Sequence, residues 1–309
     1  MANITEVSQW EDVIRQIENG EAATGGADGL ANMQAKQLAN RTQWLKSQIG
    51  NINNDTALLA ATGTGLNHNG IYRGKNWGTF TSLSAVEQFL SDHGVSTGLF
   101  NDLYLGDYFV LQDGTYNKAW EIAGFDMFYN CGDTPLTTHH LNLIPRNNLR
   151  TSKMNDTNDT TGGYYNSYMH KTVIPEVDTN MAKILGSHLL TRRAWLTDAV
   201  NKDIDSNGGP GWTGASSAGN WYNVKSVLMN EMNIWGAPIR SSNGYDNVGD
   251  PQKMPIFNFR NHVCNAREWF WLRCVASASY FAYSNGYGIA SDSHASNAGG
   301  GVRPIICVG

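Results

Sequence analysis

The sequence that decides the fold is Trp269-Phe-Trp-Leu-Arg-Cys-Val-Ala-Ser-Ala-Ser-Tyr-Phe-Ala-Tyr-Ser-Asn-Gly-Tyr-Gly288, together with Gly301-Val-Arg-Pro-Ile-Ile-Cys-Val-Gly309. Two apolar, strand-like runs flank a loop rich in Tyr, Asn, Ser, Asp, His and Gly. Tyrosine gives a large contact area at low entropic cost, so aromatic residues among small polar ones are typical of a binding surface. An enzyme pocket more often needs a tight set of acid, base and nucleophile. The stretch therefore favours a binding role.

Within it, residues 279–298 are the predicted binding loop, because aromatic and polar side chains alternate there with little apolar periodicity. Such side chains stack on sugar rings and hydrogen-bond to hydroxyl groups, or form protein contacts. The alternative is an ordered loop that simply faces solvent. The predicted binding residues are Tyr280, Tyr283, Asn285, Tyr287, Asp292 and His294.

The aromatic cluster before this loop is predicted to be structural. Trp269 and Trp271 are two residues apart, so a strand buries them on one face. Arg273 is assigned to the core with them. Arg303, just before Pro304, is expected to pair with a buried carboxylate or a backbone carbonyl.

Composition limits the partners. Of 309 residues 16% are charged, with 33 Gly, 10 Trp and 13 Tyr, which favours a loop-rich α+β domain. The net charge of −5 gives no basic footprint for nucleic acid. The start, Met1-Ala-Asn-Ile-Thr-Glu6, lacks a signal-peptide pattern, and no apolar run approaches membrane-spanning length. We expect a protein made in a cytoplasm, with no nucleic acid partner and no membrane insertion.

The sequence predicts no enzyme activity, no cofactor and no metal. The cysteines (Cys131, Cys264, Cys274 and Cys307) are scattered without metal-ligand spacing and are expected to be buried free thiols. No nucleophile elbow, phosphate-binding Gly loop or HExxH motif occurs, and nothing pairs two carboxylates for glycoside hydrolysis.

Two weaker metal signals are set aside. Asp203-Ile-Asp-Ser-Asn-Gly208 matches the first half of an EF-hand loop, but the twelfth position, where a bidentate Glu belongs, is Gly214. An ordinary polar turn is preferred there. His139 and His140, near Asp133, point to opposite faces of a strand, so one metal would not readily take both.

The N-terminal part is predicted to be helical. Apolar residues recur every three or four positions over 4–19, and a second helix starts near Leu30. Its heptad row is Ala31, Leu38, Leu45, Ile52 and Leu59; the neighbouring row is half polar: Ala35, Thr42, Ile49 and Thr56. The rows fit one seam of a coiled coil. The alternative is a single amphipathic helix packed on its own domain.

After Gly63 the pattern changes to short strands and turns. Leu105–Trp120 is predicted to be a hairpin around Asp113-Gly114, and helices are predicted at 83–92, 175–201 and 221–233. The fold class is α+β: N-terminal helices forming a short, self-associating stalk, then a loop-rich mixed α+β domain.

Two stretches carry a family resemblance. Gly25-Gly-Ala-Asp-Gly-Leu-Ala-Asn-Met-Gln-Ala-Lys-Gln-Leu-Ala-Asn-Arg-Thr-Gln-Trp-Leu-Lys46 resembles the N-terminal region of tailed-bacteriophage tail fibres. The later segments resemble a C-terminal domain of phage tail proteins whose ending is similar to C-type-lectin-like folds. These segments are 70–74, 120–126, 188–195, 271–273 and 301–304. Unlike long fibres, this chain has a short link between the two parts, which favours a compact spike or tip.

The resemblance implies a tail fibre or spike protein in the virion tail. Residues 1–64 would attach it to other virion tail proteins and form a homotrimer. Residues 65–309 would be a tip domain that binds a host cell-surface receptor, a glycan or a protein. The alternatives are a structural baseplate or collar protein and a capsule polysaccharide depolymerase.

Overall fold

The computed structural model describes residues 5–26, 28–62, 68–201, 216–241, 246, 249–250, 252–259 and 267–309. The chain forms two compact units, Met1–Thr62 and Gly63–Gly309. Helices and several sheets are present together, which confirms the predicted mixed α+β class. The roles assigned to 1–64 and 65–309 stay predictions.

The first unit is a long helix, α1 (Leu30–Thr62), with an extended segment lying along it. The helix predicted over 4–19 is therefore wrong for its described residues. The backbone N–H groups of Val7 and Arg15 donate to the α1 side chains Asn40 (2.9 Å) and Gln37 (2.8 Å). These amides bond to side chains of α1 instead of to carbonyls of their own helix, so the segment stays extended.

The same segment is fixed to α1 by aromatic and polar contacts. The rings of Trp10 and Trp44 lie 5.2 Å apart, and the Arg41 guanidinium lies 4.8 Å from the Trp10 ring centroid. Asn40 Nδ2 donates to Glu11 Oε1 at 2.8 Å. We call residues 5–26 the strap. Residues 39–44 of α1 thus form part of the surface on which the strap packs.

The turn between strap and helix depends on one glycine. Thr24 Oγ1 accepts from Leu30 N at 3.1 Å, and Thr24 O accepts from Ala31 N at 3.1 Å. A Cβ on Gly29 would lie 2.2 Å from Thr24 O. Only glycine permits this close approach.

The second unit is organised by a six-stranded sheet in the order β1-β2-β3-β4-β11-β7, parallel between β1 and β2 and antiparallel between all other neighbours. Its strands are β1 (Asn76–Phe80), β2 (Tyr108–Leu111), β3 (Lys118–Phe125), β4 (Leu141–Pro145), β7 (Ser226–Leu228) and β11 (Pro304–Val308). The predicted hairpin is confirmed as β2–β3. Asp113 Oδ1 holds its turn by accepting from the N–H groups of Thr115, Tyr116 and Asn117.

The described residues also form two smaller sheets. β5 (Arg192–Val200) pairs with β6 (Ser216–Val224), and a three-stranded sheet has the order β10-β9-β8. Its strands are β8 (Phe270–Val275), β9 (Tyr280–Ser284) and β10 (Ala290–His294). The helices are α2 (Leu83–Asp92), α3 (Ile174–Leu185) and α4 (Glu231–Trp235).

The helix predicted at 83–92 is confirmed, and Ser82 caps it by accepting from Ala85 N. The other two predictions are mostly wrong. α3 ends at Leu185 because Gly186 takes a positive φ of 53°, and Arg192–Val200 is a strand. The segment predicted as a helix at 221–233 holds strand residues and reaches α4 only at Glu231.

Strand β8 lies between two hydrophobic clusters. Trp271 packs with Phe281 and Val302 on one face, and Leu272 and Cys274 pack in the other cluster. Trp269 joins the Trp271 side, with ring centroids 5.0 Å apart. The predicted structural role of this aromatic cluster is confirmed, and Arg273 is only 2% exposed.

Cys131, Cys274 and Cys307 are free thiols, as predicted, although Cys131 is only half-buried; Cys264 lies outside the described residues. In the part of the chain that the structure describes, we find no helix with the length and apolar character needed to span a membrane.

Candidate functional site

The predicted loop at 279–298 contains a hairpin. β9 and β10 pair antiparallel, with Tyr280 opposite His294 and Ala282 opposite Asp292. The expectation of a loop without regular structure is therefore wrong. Tyr280 and Tyr283 are three residues apart, an odd spacing that places them on opposite faces of a strand and hides its two-residue period.

Three of the six predicted site residues share one face of this hairpin. The Tyr280 and His294 rings stack at 4.3 Å, and Tyr280 Oη lies 3.2 Å from His294 Nε2. Asp292 forms an ion pair with Arg240 at 3.1 Å. Burial raises the pKa of Asp292, and Arg240 opposes that rise. We call Tyr280, Asp292, His294 and Arg240 the hairpin face.

Tyr283 lies on the opposite face and is half-buried. Its ring centroid is 4.8 Å from that of Trp269 and 6.2 Å from that of Trp271. The structure thus separates Tyr283 from the hairpin face and places it against the core, where its ring supports the tryptophans.

The remaining two predicted residues form the turn. Asn285 Oδ1 accepts from Tyr287 N at 2.9 Å and from Ile289 N at 3.0 Å, so its role is to shape the turn. Tyr287 is 69% exposed and Ile289 is 60% exposed. Sequence reasoning missed Ile289 and Arg240. Ile289 had a signal, because it is a lone large aliphatic residue directly after the turn residues Gly286, Tyr287 and Gly288.

The neighbouring residues His139 and His140 both form a hydrogen bond to the carboxylate of Asp126. His139 Nδ1 lies 2.7 Å from Asp126 Oδ2, and the His140 backbone N–H donates to Asp126 Oδ1 at 2.8 Å. His140 Nε2 accepts from Phe128 N, and burial lowers the pKa of this imidazole. Asp133 instead pairs with Arg193 at 2.6 Å. The arrangement holds a tight turn together.

Arg303 has the structural role predicted for it. It is 2% exposed, donates from Nε to Pro145 O at 2.8 Å and lies 3.3 Å from Glu121 Oε1. Burial raises the pKa of Glu121, and the charges of Arg303 and Arg146 oppose that rise. This buried pair ties β11 to β3 and β4.

A cleft of about 340 Å³ opens beside Trp269. Its other lining residues are Lys118, Asn148, Leu149, Arg150, Thr151, Glu268 and Gly299. Trp269 lines this cleft and also contacts Tyr283, and no residue of β9 or β10 is among the described lining residues.

Among the described residues, no group of three or more His, Cys, Asp and Glu side chains is placed to hold a metal ion. The calcium-like sequence at Asp203–Gly208 lies outside the described residues. Comparison of the chain with family models, curated proteins and solved structures found no match.

Proposed function

We propose that this protein is a virion attachment protein of a tailed phage, a short fibre or spike that binds a host surface receptor. The observation that carries the proposal is the turn of the β9–β10 hairpin. Its two most exposed large side chains, Tyr287 and Ile289, project from a domain whose other large apolar residues are mostly buried. An exposed aromatic on a rigid hairpin is typical of a recognition contact.

The hairpin face extends this surface with polar groups. Tyr280 and His294 present a stacked pair of rings, and Asp292 with Arg240 presents a fixed ion pair. Rings and hydrogen-bonding groups on one face fit a glycan or a protein loop. The relationship to C-type-lectin-like folds is part of the proposal, supported by the strand β11 that follows the hairpin and pairs with the main sheet.

The first unit supports self-association into a homotrimer. The residues of α1 that contact the strap include Gln37, Asn40, Arg41 and Trp44. With about 3.6 residues per turn, the predicted heptad row lies roughly a quarter of a turn around the helix from these contacts. In this row Leu38 is 52% exposed and Leu45 is 48% exposed, and Ile49 of the neighbouring row is 58% exposed.

An exposed apolar row with heptad spacing is the pattern of a coiled-coil seam. The strap leaves this row exposed, because it contacts a neighbouring face of α1. The side chain of Leu59, the last residue of the predicted row, lies outside the described part of the chain. Three chains joined along this row would give the avidity that weak single contacts need.

The receptor proposal is tested by replacing Tyr287 and Ile289 together with Ala. A stacked ring contributes about 1–2 kcal/mol, so we expect binding to intact bacteria or to a glycan array to weaken at least fivefold to thirtyfold. Thermal stability should stay within about 1 °C of the parent, since both side chains are exposed.

The matched control is Ile71→Ala, since Ile71 is a 54% exposed aliphatic residue outside the hairpin. It should leave binding unchanged. Tyr283→Ala should lower the melting temperature, which separates a packing effect from a recognition effect. Unchanged binding in the well-folded double variant, or release of shortened oligosaccharides, would contradict the proposal; the second result would favour a depolymerase.

A further inference from the structure

A second cleft, of about 310 Å³, lies beside α3. One side is α3 with the turn before it, and the other is the end of β6 and the start of β7. Its lining residues are His170, Ile174, Pro175, Asp178, Thr191, Asn223, Val224, Lys225 and Ser226. None of them belongs to the β9–β10 hairpin.

Among the described residues, three buried polar atoms of this lining have no hydrogen-bond partner in good geometry: His170 Nδ1, Asp178 Oδ1 and Ser226 Oγ. Ser226 nevertheless lies close enough to the Asp178 carboxyl to lower its pKa. A buried polar atom without a partner destabilises a fold by about 1–3 kcal/mol. Such atoms are few in native proteins and call for a reason. Three such atoms around one cleft are explained if a bound ligand supplies their hydrogen-bond partners.

The surrounding structure holds these groups in position. His170 lies in a π-helical turn, Met169–Val173, and its backbone N–H donates to Ser167 Oγ at 3.1 Å. Its ring centroid lies 5.0 Å from that of Tyr164 and 5.5 Å from that of Tyr165. π-helical turns occur frequently at functional sites.

The electrostatics of the cleft favour uncharged partners. Burial lowers the pKa of His170 to about 4, so its imidazole is neutral at pH 7 and one nitrogen donates while the other accepts. Burial also raises the pKa of Asp178, against the effect of the neighbouring Ser226. Lys225 is the sole Lys or Arg in the lining, and Asp178 would repel a phosphate.

Ser, His and Asp together suggest hydrolysis, but the geometry does not assemble that machinery. A nucleophilic serine needs a hydrogen bond to its base. Ser226 Oγ forms none to His170. The three groups instead offer separate donors and acceptors, next to an apolar wall of Ile174, Pro175 and Val224. Sugars match this chemistry, since each hydroxyl both donates and accepts and the ring has apolar faces.

The cleft continues into a neighbouring one of about 200 Å³, because Thr191 and Asn223 line both. The second cleft has further hydroxyl groups on Thr134, Thr137 and Thr138. Arg193 also lines it but is held by Asp133. The joined groove thus has room for more than one sugar unit.

We propose that this groove, with His170, Asp178 and Ser226 at its deep end, is a binding site for a neutral carbohydrate. We call it the α3 groove. It is a site separate from the hairpin face, and it stands whether or not the hairpin binds a receptor.

The test measures binding of defined sugars to the full chain. The probes are methyl glycosides of glucose, galactose and mannose, N-acetylglucosamine, and their β-linked disaccharides, followed by saturation-transfer NMR and by titration calorimetry. We expect at least one probe to bind, and its addition to shift the His170 imidazole signals in ¹H–¹⁵N spectra. Disaccharides should bind more tightly than their monosaccharides.

The variant Ser226→Ala gives a discriminating readout. Because Ser226 Oγ has no well-formed hydrogen bond among the described residues, replacing the hydroxyl by hydrogen should leave the melting temperature nearly unchanged. Loss of one ligand hydrogen bond should weaken binding roughly threefold to tenfold. Asp178→Asn should weaken it further. The matched control, Glu176→Gln, removes an exposed α3 carboxylate outside the groove and should change neither binding nor the His170 signals.

Absence of binding by every probe at millimolar concentration would overturn the proposal. So would binding that Ser226→Ala and Asp178→Asn leave intact in folded protein. If the sugar is lost in these variants while cell adsorption persists, the α3 groove is established as distinct from the receptor surface.

Discussion

The buried ion pair of Arg303 and Glu121 gives the sharpest stability prediction. The side chains are 3% and 0% exposed and lie 3.3 Å apart. Arg303→Met roughly keeps the volume and removes the charge, so Glu121 loses its buried cation and the partly exposed Arg146 remains 3.5 Å away. Breaking one side of a buried pair destabilises a protein by about 3–5 kcal/mol.

The assay is urea unfolding at pH 8, followed by tryptophan fluorescence. With a denaturant slope of about 3 kcal/mol per molar, the loss moves the unfolding midpoint down by roughly 1–2 M. Without Arg303 the buried Glu121 carboxyl should take up a proton as the pH falls. The destabilisation should therefore be smaller at pH 5 than at pH 8.

The matched control is Arg150→Met. Arg150 pairs with Glu176 at 2.6 Å, but these side chains are 36% and 48% exposed. Solvent screening limits such a pair to about 1 kcal/mol or less. The reasoning is refuted if the two variants lose equal stability at pH 8, or if the loss in Arg303→Met does not depend on pH.

Three further results are expected. Leu38→Ser with Leu45→Ser should reduce the mass measured by light scattering at micromolar concentration from a trimer to a monomer, and a parent that is already monomeric would contradict the seam. The neutral His170 should contribute stability that is present above about pH 6.5 and lost as the pH falls toward 4, of the order of 2–3 kcal/mol; His170→Gln should flatten this part of the urea-midpoint profile. Gly300→Ala should cost about 1–3 kcal/mol in urea unfolding, because its Cβ would lie 2.1 Å from Trp271 Nε1, and no loss would contradict this packing.

Local patterns predicted the parts of the fold that depend on local chemistry. Asp113-Gly114 marked a real hairpin turn, and the apolar positions at 83–92 marked a real helix, because both depend on neighbouring residues. The described part of the segment 4–19 is not helical, because backbone amides of the strap donate to side chains of α1 and Trp10 packs on Trp44. The apolar spacing alone does not distinguish a helix from an extended segment packed on α1. The contact of Trp10 with Trp44, which is distant in sequence, decides for the extended segment.

The six predicted site residues do not lie together, because their positions also depend on contacts that residue types do not reveal. Residue type marks the site residues at 280–294, but strand pairing decides on which face of the hairpin each one lies. Tyr280, Asp292 and His294 lie on one face and Tyr283 on the other. Arg240, more than fifty residues before Asp292 in the sequence, completes the hairpin face. The α3 groove gave no sequence signal, because His170, Asp178 and Ser226 meet only through the packing of α3 against β7.

The position of β11 in the six-stranded sheet has a consequence for how the chain folds. β11 lies between β4 and β7, and about 160 residues separate β4 from it. At about 5–20 residues per second, translation of that interval takes roughly 8–30 s. Throughout it β4 has an unpaired edge, which invites pairing with other chains. Shielding of nascent chains by a chaperone, or slow synthesis at low temperature, should therefore raise the yield of soluble protein.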